Sequence, residues 1–166
     1  MSQPTIRPAE HRDCPEILAI YNDAVLKTTA TYDYEPRTLE HRQQWLAERQ
    51  RDGYAVFVAE DVSGKILGWS ALNRYHDRMG FRFTAENSVY VDEGYRGQGL
   101  GGLLLAPLIP AARARGLHVV LAAIDAANES SLRLHARHGF ERVGVVRQVG
   151  FKFGRWLDVV YLQCLL

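Results

Sequence analysis

The stretch Ser88-Val89-Tyr90-Val91-Asp92-Glu93-Gly94-Tyr95-Arg96-Gly97-Gln98-Gly99-Leu100-Gly101-Gly102 decides both the fold and the class of ligand. An apolar strand pattern runs into a turn in which four of the six residues from Gly97 to Gly102 are glycine, and a helical pattern follows. Glycine adopts positive φ angles and lets backbone N–H groups come close to a bulky anion. A helix start adds unpaired N–H donors and the positive end of its dipole. The stretch therefore predicts a pyrophosphate cradle for a nucleotide-like ligand.

Three ligand classes compete for such a cradle, beside the plain alternative of a glycine-rich connection. A P-loop needs a lysine in the turn, and the absence of lysine between Lys65 and Lys152 excludes it. A dinucleotide fingerprint fits Gly97, Gly99 and Gly102, with Asp125 near the place of the ribose-binding acid. That motif, however, lies in the middle of a chain of 166 residues, which leaves little room for a Rossmann sheet and a catalytic domain. The third pattern is an arginine or glutamine followed by spaced glycines.

Composition indicates one ordinary globular domain, residues 1–166, with 47% hydrophobic and 23% charged residues and a net charge of +1. This balance predicts neither a nucleic-acid nor a membrane partner. Cys14 and Cys164 lie at opposite ends of the chain, without a CxxC pair or a Cys/His cluster. We expect free thiols, no metal site and, without a signal sequence or a long apolar run, a cytoplasmic protein.

Hydrophobic periodicity predicts an alternating α/β order. Strands are expected at residues 5–8, 54–60, 66–72, 81–91, 117–124, 140–146 and 156–165, and helices at 14–26, 39–51, after the glycine turn, and 128–138. Asp13 and Thr38 are the expected N-caps of the first two helices, and Leu39, Trp45 and Leu46 the inner face of the second. Pro107 and Pro110 should kink or break the helix that follows the turn.

A second motif, Asn128-x-x-Ser131-x-x-Leu134-His135-x-x-x-Gly139-Phe140, agrees with the third cradle pattern, in which Arg96, Gly99 and Gly101 match. With the order of elements, the two motifs resemble the GNAT N-acetyltransferase family over nearly the whole chain. The resemblance implies an acetyl-CoA-dependent acyltransferase with a central mixed, twisted sheet of about seven strands. Helices are then expected on both faces, with strands that splay at the cofactor cleft.

Further segments look like one branch of that family, the phosphinothricin and methionine sulfone/sulfoximine acetyltransferases. They are Asn22–Val25, Thr28–Tyr32, Glu86–Val91 and, with the most unusual composition, Val149–Asp158. The resemblance implies acetyl transfer in a ternary complex to the α-amine of a small amino acid or analogue, by a homodimer. Phe151, Phe153 and Trp156 either pack in the core or form the dimer contact.

The family's cofactor contacts transfer to matching positions of this sequence. The strand is implied to offer unpaired backbone groups to the pantetheine arm, the turn to hold the diphosphate, and the second motif to contact the arm. These residues are Val89, Tyr90 and Val91; Arg96, Gly97, Gln98, Gly99, Leu100, Gly101 and Gly102; and Asn128, Ser131 and His135.

Two side chains are candidates for the chemistry. A carboxylate at Glu86, in the strand that leads to the turn, can take a proton from the substrate ammonium if its surroundings raise its pKa. His135, where the family usually has tyrosine, can protonate the departing thiolate, because imidazole titrates near neutral pH. Alternatively, Glu86 is a solvated strand residue and His135 only touches the cofactor.

The acceptor's own carboxylate needs a cation, and guanidinium binds carboxylate in two-pronged fashion. Arg78 and Arg82 are the candidates, with Met79, Gly80 and Phe81 lining the pocket and Thr29 approaching it. This chain has His76-Asp77 where the branch typically has an arginine. Two other functions stay open: a non-catalytic acetyl-CoA-binding sensor, which needs neither Glu86 nor His135, and an acetyltransferase for protein N-termini or lysines.

Overall fold

The computed structural model describes residues 3–166 and confirms the α/β class. Seven strands and five helices follow one another along the chain, with short 3-10 turns at His11–Asp13, Met79–Phe81 and Glu93–Tyr95. Their bounds are β1 Thr5–Pro8, α1 Cys14–Lys27, α2 Leu39–Arg51, β2 Val56–Glu60, β3 Ile66–Arg74, β4 Thr84–Val91, α3 Leu100–Leu105, α4 Leu108–Ala114, β5 Val119–Asp125, α5 Glu129–Arg137, β6 Glu141–Lys152 and β7 Arg155–Leu165.

The strands form one mixed sheet in the order β1-β2-β3-β4-β5-β7-β6. All neighbours are antiparallel except β4 and β5, which pair in parallel only from Thr84 to Glu86 against Val119 to Leu121. On its other side β4 stays paired with β3 as far as Val91. The strands β4 and β5 therefore diverge after Glu86, which confirms the expected splay.

Helices cover both faces of the sheet and close two cores. On one face α1 and α2 contribute Ile17, Ile20 and Leu46, which pack on Trp69 of β3. On the other, Leu105 and Leu108 from α3 and α4 pack with strand residues such as Val120. Side chains that alternate along β4 therefore point alternately into the two layers.

Several predicted boundaries were wrong. Asp13 is the N-cap residue of α1, as expected, but its carboxylate makes no capping hydrogen bond to that helix; it pairs instead with Arg7 at 2.7 Å and belongs to the preceding 3-10 turn. The strand into the glycine turn begins at Thr84, because Phe81 belongs to a 3-10 turn. Strand β6 continues past Val146 to Lys152. A register shift between Val146 and Gly150, with Gln148 at φ 53°, interrupts the alternation that a strand prediction needs.

The two prolines break the helix after the glycine turn, as expected. Helix α3 ends at Leu105 and α4 begins at Leu108, with Pro107 at its N-cap. Pro110 is the third residue of α4, where a backbone N–H has no intrahelical acceptor, so its missing donor costs little. The sequence alone had not explained this tolerance.

Both cysteines are free and buried, Cys14 in α1 and Cys164 in β7. Within residues 3–166, none of the helices combines the length and apolar character needed to cross a membrane.

Thr38 accepts a hydrogen bond from the backbone N–H of His41 at 3.2 Å and so caps α2 as predicted.

Candidate active site

A cleft of about 500 Å³ opens where β4 and β5 diverge. Its walls are residues 86–90 of β4, residues 122–125 of β5, the first two turns of α5, residues 149–150 of β6 and the loop 29–32. We call this cavity the β4–β5 cleft. Six predicted site residues line it: Glu86, Val89, Tyr90, Asn128, Ser131 and His135; so does Thr29.

Glu86 brings an unpartnered carboxylate to the cleft. Among residues 3–166 its side chain takes part in no hydrogen bond or ion pair, and burial raises its pKa above the ordinary value. Two tyrosines line the same cleft, and burial, Asp125 and Glu86 contribute to raising the pKa of Tyr32 to about 12. The pKa of Tyr161 is raised for the same reasons of burial and proximity to Glu86. The site thus favours a carboxylate that exchanges its proton closer to neutral pH than an exposed one does.

His135 lies beneath the cleft, 4% exposed, and both of its ring nitrogens are engaged. Its Nδ1 is 2.8 Å from the carbonyl oxygen of Ser131, which can only accept, so this nitrogen carries the proton. Its Nε2 is therefore the acceptor for the side-chain amide of Asn87 at 2.8 Å. Burial lowers the pKa of His135, which keeps the ring neutral. The ring fixes the Asn87 side chain at the floor of the cleft.

The loop 28–34 is fastened over the cleft from two sides. Lys152 of β6, 3% exposed, donates from Nζ to the carbonyl oxygens of Thr28 and Thr31, both at 2.8 Å. The hydroxyl of Thr29 donates to the carboxylate of Asp125 at the end of β5. Sequence analysis gave Lys152 no part in the site, considered Asp125 only as the ribose-binding acid of a dinucleotide fold, and gave Asn87 no role of its own. Lys152 and Asp125 contact residues 124 and 96 positions away, and Asn87 and His135 are 48 positions apart, so no local pattern shows these contacts.

The glycine turn divides into two pairs with different tasks. Gly97 and Gly99 have φ angles of 76° and 83°, where a side chain would be strained. Gly101 and Gly102 instead allow α3 to approach α5: a Cβ on Gly101 would lie 3.0 Å from Leu134, and one on Gly102 would lie 3.4 Å from His138. Backbone from Arg96 to Gly99 is exposed, as an anion cradle requires, and Leu100 is buried behind it.

Other predicted residues lie outside the β4–β5 cleft. Val91, the last residue of β4, does not line this cleft. Arg78, Met79, Gly80, Phe81 and Arg82 form an exposed turn that lines no part of the cleft. Arg82 donates to the Met79 carbonyl at 3.2 Å and stacks on Phe83, because the chain turns there before β4 begins. These five residues therefore lie outside the cleft of their own chain, and their part in an acceptor pocket stays a prediction.

Over residues 3–166, no three His, Cys, Asp or Glu side chains are grouped closely enough to hold an ion.

Comparison with known proteins assigns the family. A family model described as an acetyltransferase (GNAT) domain matches residues 6–161. The chain belongs to the GNAT acetyltransferases. It is 50% identical over 159 residues to the L-methionine sulfoximine/L-methionine sulfone acetyltransferase of Pseudomonas aeruginosa, covering 96% of this chain and 92% of the relative. It is 41% identical over 160 residues to the phosphinothricin N-acetyltransferase of Streptomyces coelicolor, covering 95% and 94%.

A solved GNAT structure extends the agreement to three dimensions. A putative acetyltransferase from Salmonella typhimurium, solved with its cofactor acetyl-CoA, superimposes with a TM-score of 0.97 at 42% identity, covering 99% of this chain and 95% of that one. The resemblance drawn from the sequence motifs, including the branch, is thus confirmed.

Proposed function

We propose that this GNAT acetyltransferase moves acetyl from acetyl-CoA to the α-amino group of a small amino acid or analogue, of the methionine sulfone, methionine sulfoximine or phosphinothricin class. The observation that carries the proposal is the unpartnered carboxylate of Glu86, at the point where β4 and β5 separate. The names of the 50% and 41% identical relatives support the acceptor class.

The residues present fit acetyl-CoA. The turn offers exposed backbone with positive φ at Gly97 and Gly99 for a diphosphate. Beyond Glu86, β4 lacks β5 as a hydrogen-bonding neighbour, which leaves the backbone groups of Val89 and Val91 that point away from β3 available to the pantetheine arm. The backbone of Tyr90 is instead paired with Trp69 of β3. Asn128 caps α5 by accepting from the Ser131 N–H at 3.1 Å, and its amide nitrogen stays free for the same arm. When bound, acetyl-CoA supplies an activated acetyl group as a thioester.

Glu86 starts the transfer by taking a proton from the acceptor's ammonium group, directly or through one water molecule. The neutral amine would then form a bond to the acetyl carbon while the carbon–sulfur bond breaks. The nitrogen gives up its second proton, and the sulfur, which leaves as a thiolate, takes up one proton and becomes the free thiol. Of the two predicted donors, Tyr90 has its N–H directed at β3, so the N–H of Val91 is the one that can stabilise the negative charge on the acetyl oxygen. A raised pKa suits Glu86 to this role, because a base that titrates near the working pH transfers protons most effectively.

His135 stays a predicted general acid, but its contacts favour a positioning role. The proton on Nδ1 is directed at the Ser131 carbonyl, and Nε2 holds the Asn87 amide. Protonating a thiolate would require His135 to give up one of these bonds and to become charged in a buried site, which burial disfavours.

The alternatives are distinguishable. A protein or lysine acetyltransferase needs an open groove, whereas here Lys152 and Asp125 hold the loop 28–34 over the cleft. A sensor would bind acetyl-CoA and leave amino acids unchanged. The test is release of free thiol from acetyl-CoA with methionine sulfone, methionine sulfoximine, phosphinothricin and ordinary amino acids as acceptors. Arg78 and Arg82 stay predicted ligands of the acceptor's carboxylate, and substituting each with methionine tests them through the acceptor KM.

We extend the proposal to a homodimer that works in the cytoplasm and detoxifies such analogues. A dimer is supported by the β6–β7 hairpin, which exposes seven large apolar side chains from Val143 to Trp156, because clusters of exposed apolar side chains often mark interaction surfaces. These are Val143, Val145, Val146, Val149, Phe151, Phe153 and Trp156. Analytical ultracentrifugation should show two chains for the native protein and one for Val145→Lys.

A further inference from the structure

A second cavity, of about 250 Å³, lies on the other side of the β4 wall, among α1, α2, β3 and β4. We call it the arginine pocket and define it by Tyr21, Arg42, Trp45, Arg49, Trp69 and Asn73. Ser88 and Tyr90 line both this pocket and the β4–β5 cleft, so the two cavities share a wall.

Arg42 is a buried cation without a counter-ion. It is 2% exposed, and its guanidinium carbon lies 4.4 Å from the ring centre of Tyr21 and 4.5 Å from that of Trp45. These contacts are cation–π interactions, which give the guanidinium N–H groups no oxygen or nitrogen acceptor. Among residues 3–166 the guanidinium makes no hydrogen bond or salt bridge, and Nε is buried without an acceptor.

Trp69 presents a second donor at the same place. Its indole Nε1 is also buried without an acceptor, and the guanidinium carbon of Arg42 lies 5.4 Å from its ring centre. In the part of the chain that the structure describes, Arg42 Nε and Trp69 Nε1 are the only buried side-chain nitrogens or oxygens without a partner. Native proteins rarely leave such groups unsatisfied, so two together indicate a missing acceptor.

The neighbouring charges do not supply that acceptor. Asp33 accepts from the Tyr21 hydroxyl at 2.6 Å and pairs with Arg37 at 2.8 Å. Arg49, which is half-buried, donates to the Asn73 side chain at 2.9 Å and adds a second cation to the pocket wall. Burial lowers the pKa of Arg42, but guanidinium keeps its proton in proteins. The pocket wall therefore carries an excess of positive charge.

We propose that the arginine pocket binds a small carboxylate anion, which accepts hydrogen bonds from the guanidinium edge of Arg42 and from Trp69 Nε1. A carboxylate fits better than a phosphate because one uncompensated guanidinium matches one negative charge and its planar fork matches a planar acceptor. The carboxylate belongs either to the amino-acid acceptor, reached past Ser88 and Tyr90, or to a separate small acid.

Binding is tested with acetate as the probe, on the full-length protein. We expect acetate, but not chloride at equal ionic strength, to shift the indole N–H resonance of Trp69 saturably. Arg42→Met, which keeps the length of the side chain and removes its charge, should weaken acetate binding about tenfold or more. Arg51→Met, an exposed position on the same helix, is the matched control and should bind as the native protein does.

If Arg42→Met does not fold, Trp69→Phe removes the other donor and keeps an aromatic ring. Binding to that variant is read from the methyl signal of acetate by saturation transfer, and it should again be weakened. No saturable shift in the native protein, or unchanged acetate affinity in both pocket variants, would overturn the proposal.

A kinetic measurement then identifies the source of the carboxylate, and only this part rests on the proposed function. If the acceptor's carboxylate occupies the pocket, acetate competes with methionine sulfone, and Arg42→Met raises the KM for methionine sulfone about tenfold. For the amine that corresponds to methionine sulfone without its α-carboxylate, the KM should be the same in Arg42→Met as in the native enzyme. If a separate acid occupies the pocket, acetate binds without competing and the acceptor KM is unchanged. The acetate titration requires no turnover, so its result does not depend on the proposed function.

Discussion

The β4–β5 cleft and the arginine pocket share a wall but bury opposite charges. In the cleft, Glu86 has no partner among residues 3–166, and in the pocket Arg42 has none. Elsewhere in the protein, buried or half-buried charges are satisfied: Lys152 donates to two carbonyl oxygens, and Arg7 pairs with Asp13. Among the buried and half-buried charges of residues 3–166, those without a partner therefore lie in the two cavities, where a ligand can pair with them.

The difference lies in how each group can respond to burial. A carboxylate can take up a proton and become neutral, so the cleft should work as a proton acceptor whose activity depends on pH. A guanidinium stays charged, so the pocket must recruit an anion and its binding should not change across neutral pH. The cost of burying a charge without a partner thus indicates proton transfer in the β4–β5 cleft and anion binding in the arginine pocket.

The largest effect is expected from Glu86→Gln. Removing the base should lower turnover about 10²- to 10⁴-fold and abolish the rise of kcat/KM with pH. In the native enzyme this rise should lie above the ordinary pKa range of glutamate, because burial raises the pKa of Glu86. Acetyl-CoA affinity by calorimetry and acetate binding in the arginine pocket should both be unchanged. Glu129→Gln, at an exposed position of α5, is the control and should keep full turnover. Full turnover in Glu86→Gln would instead show that Glu86 is not the base.

The next effect comes from His135 and separates positioning from acid catalysis. His135→Ala should lower turnover by up to about 10²-fold, because Asn87 loses its anchor at the cleft floor. His135→Gln can still accept from Asn87 and should recover most of that loss. In both variants the dependence of kcat/KM on pH should be the same as in the native enzyme on the alkaline side of the profile. Equal losses in the two variants, with that side of the profile gone, would make His135 the proton donor.

A smaller effect tests whether the glycine turn serves the cleft alone. Gly99→Ala and Gly64→Ala introduce a side chain at φ 83° and 87°, so each should cost stability by about 1–2 kcal/mol. Only Gly99→Ala should also weaken acetyl-CoA, by about tenfold, and neither should alter acetate binding. Denaturant unfolding and calorimetry measure the two quantities. Equal acetyl-CoA affinity in both variants would show that the glycine turn does not bind the cofactor.

The smallest effect compares two arginines of α2 in the pocket wall. Arg49→Met should lower the free energy of unfolding by about 1 kcal/mol, because it leaves the Asn73 oxygen without its donor. Arg42→Met should leave stability unchanged or higher in the absence of an anion, because no hydrogen bond is lost and a buried charge is removed. Urea unfolding in chloride buffer measures both. A larger loss for Arg42→Met would mean that its stacking on Tyr21 and Trp45 is structural.

Much of the fold could be predicted from the sequence because its signals are local. Period-two and helical patterns located the elements, and the glycine turn with Asn128–Phe140 placed them in a family. Glu86 and His135 were found because they lie on those elements.

What was missed depends on contacts between distant segments. Lys152 over the loop 28–34 is such a contact. Arg42 was missed for another reason. Its spacing from Trp45 and Leu46 puts it on the inner face of α2, but a charged residue there reads as a solvated position. Leu39, assigned to that face, is instead 40% exposed.

The most direct test of the account is a single reaction: purified protein, acetyl-CoA and L-methionine sulfone, followed by mass spectrometry of the amino acid and by thiol release. We predict one acetyl group on the amino-acid nitrogen for each thiol released, with both signals lost in Glu86→Gln while acetyl-CoA still binds. Bound acetyl-CoA with no acetylated acceptor among methionine sulfone, methionine sulfoximine and phosphinothricin would contradict it.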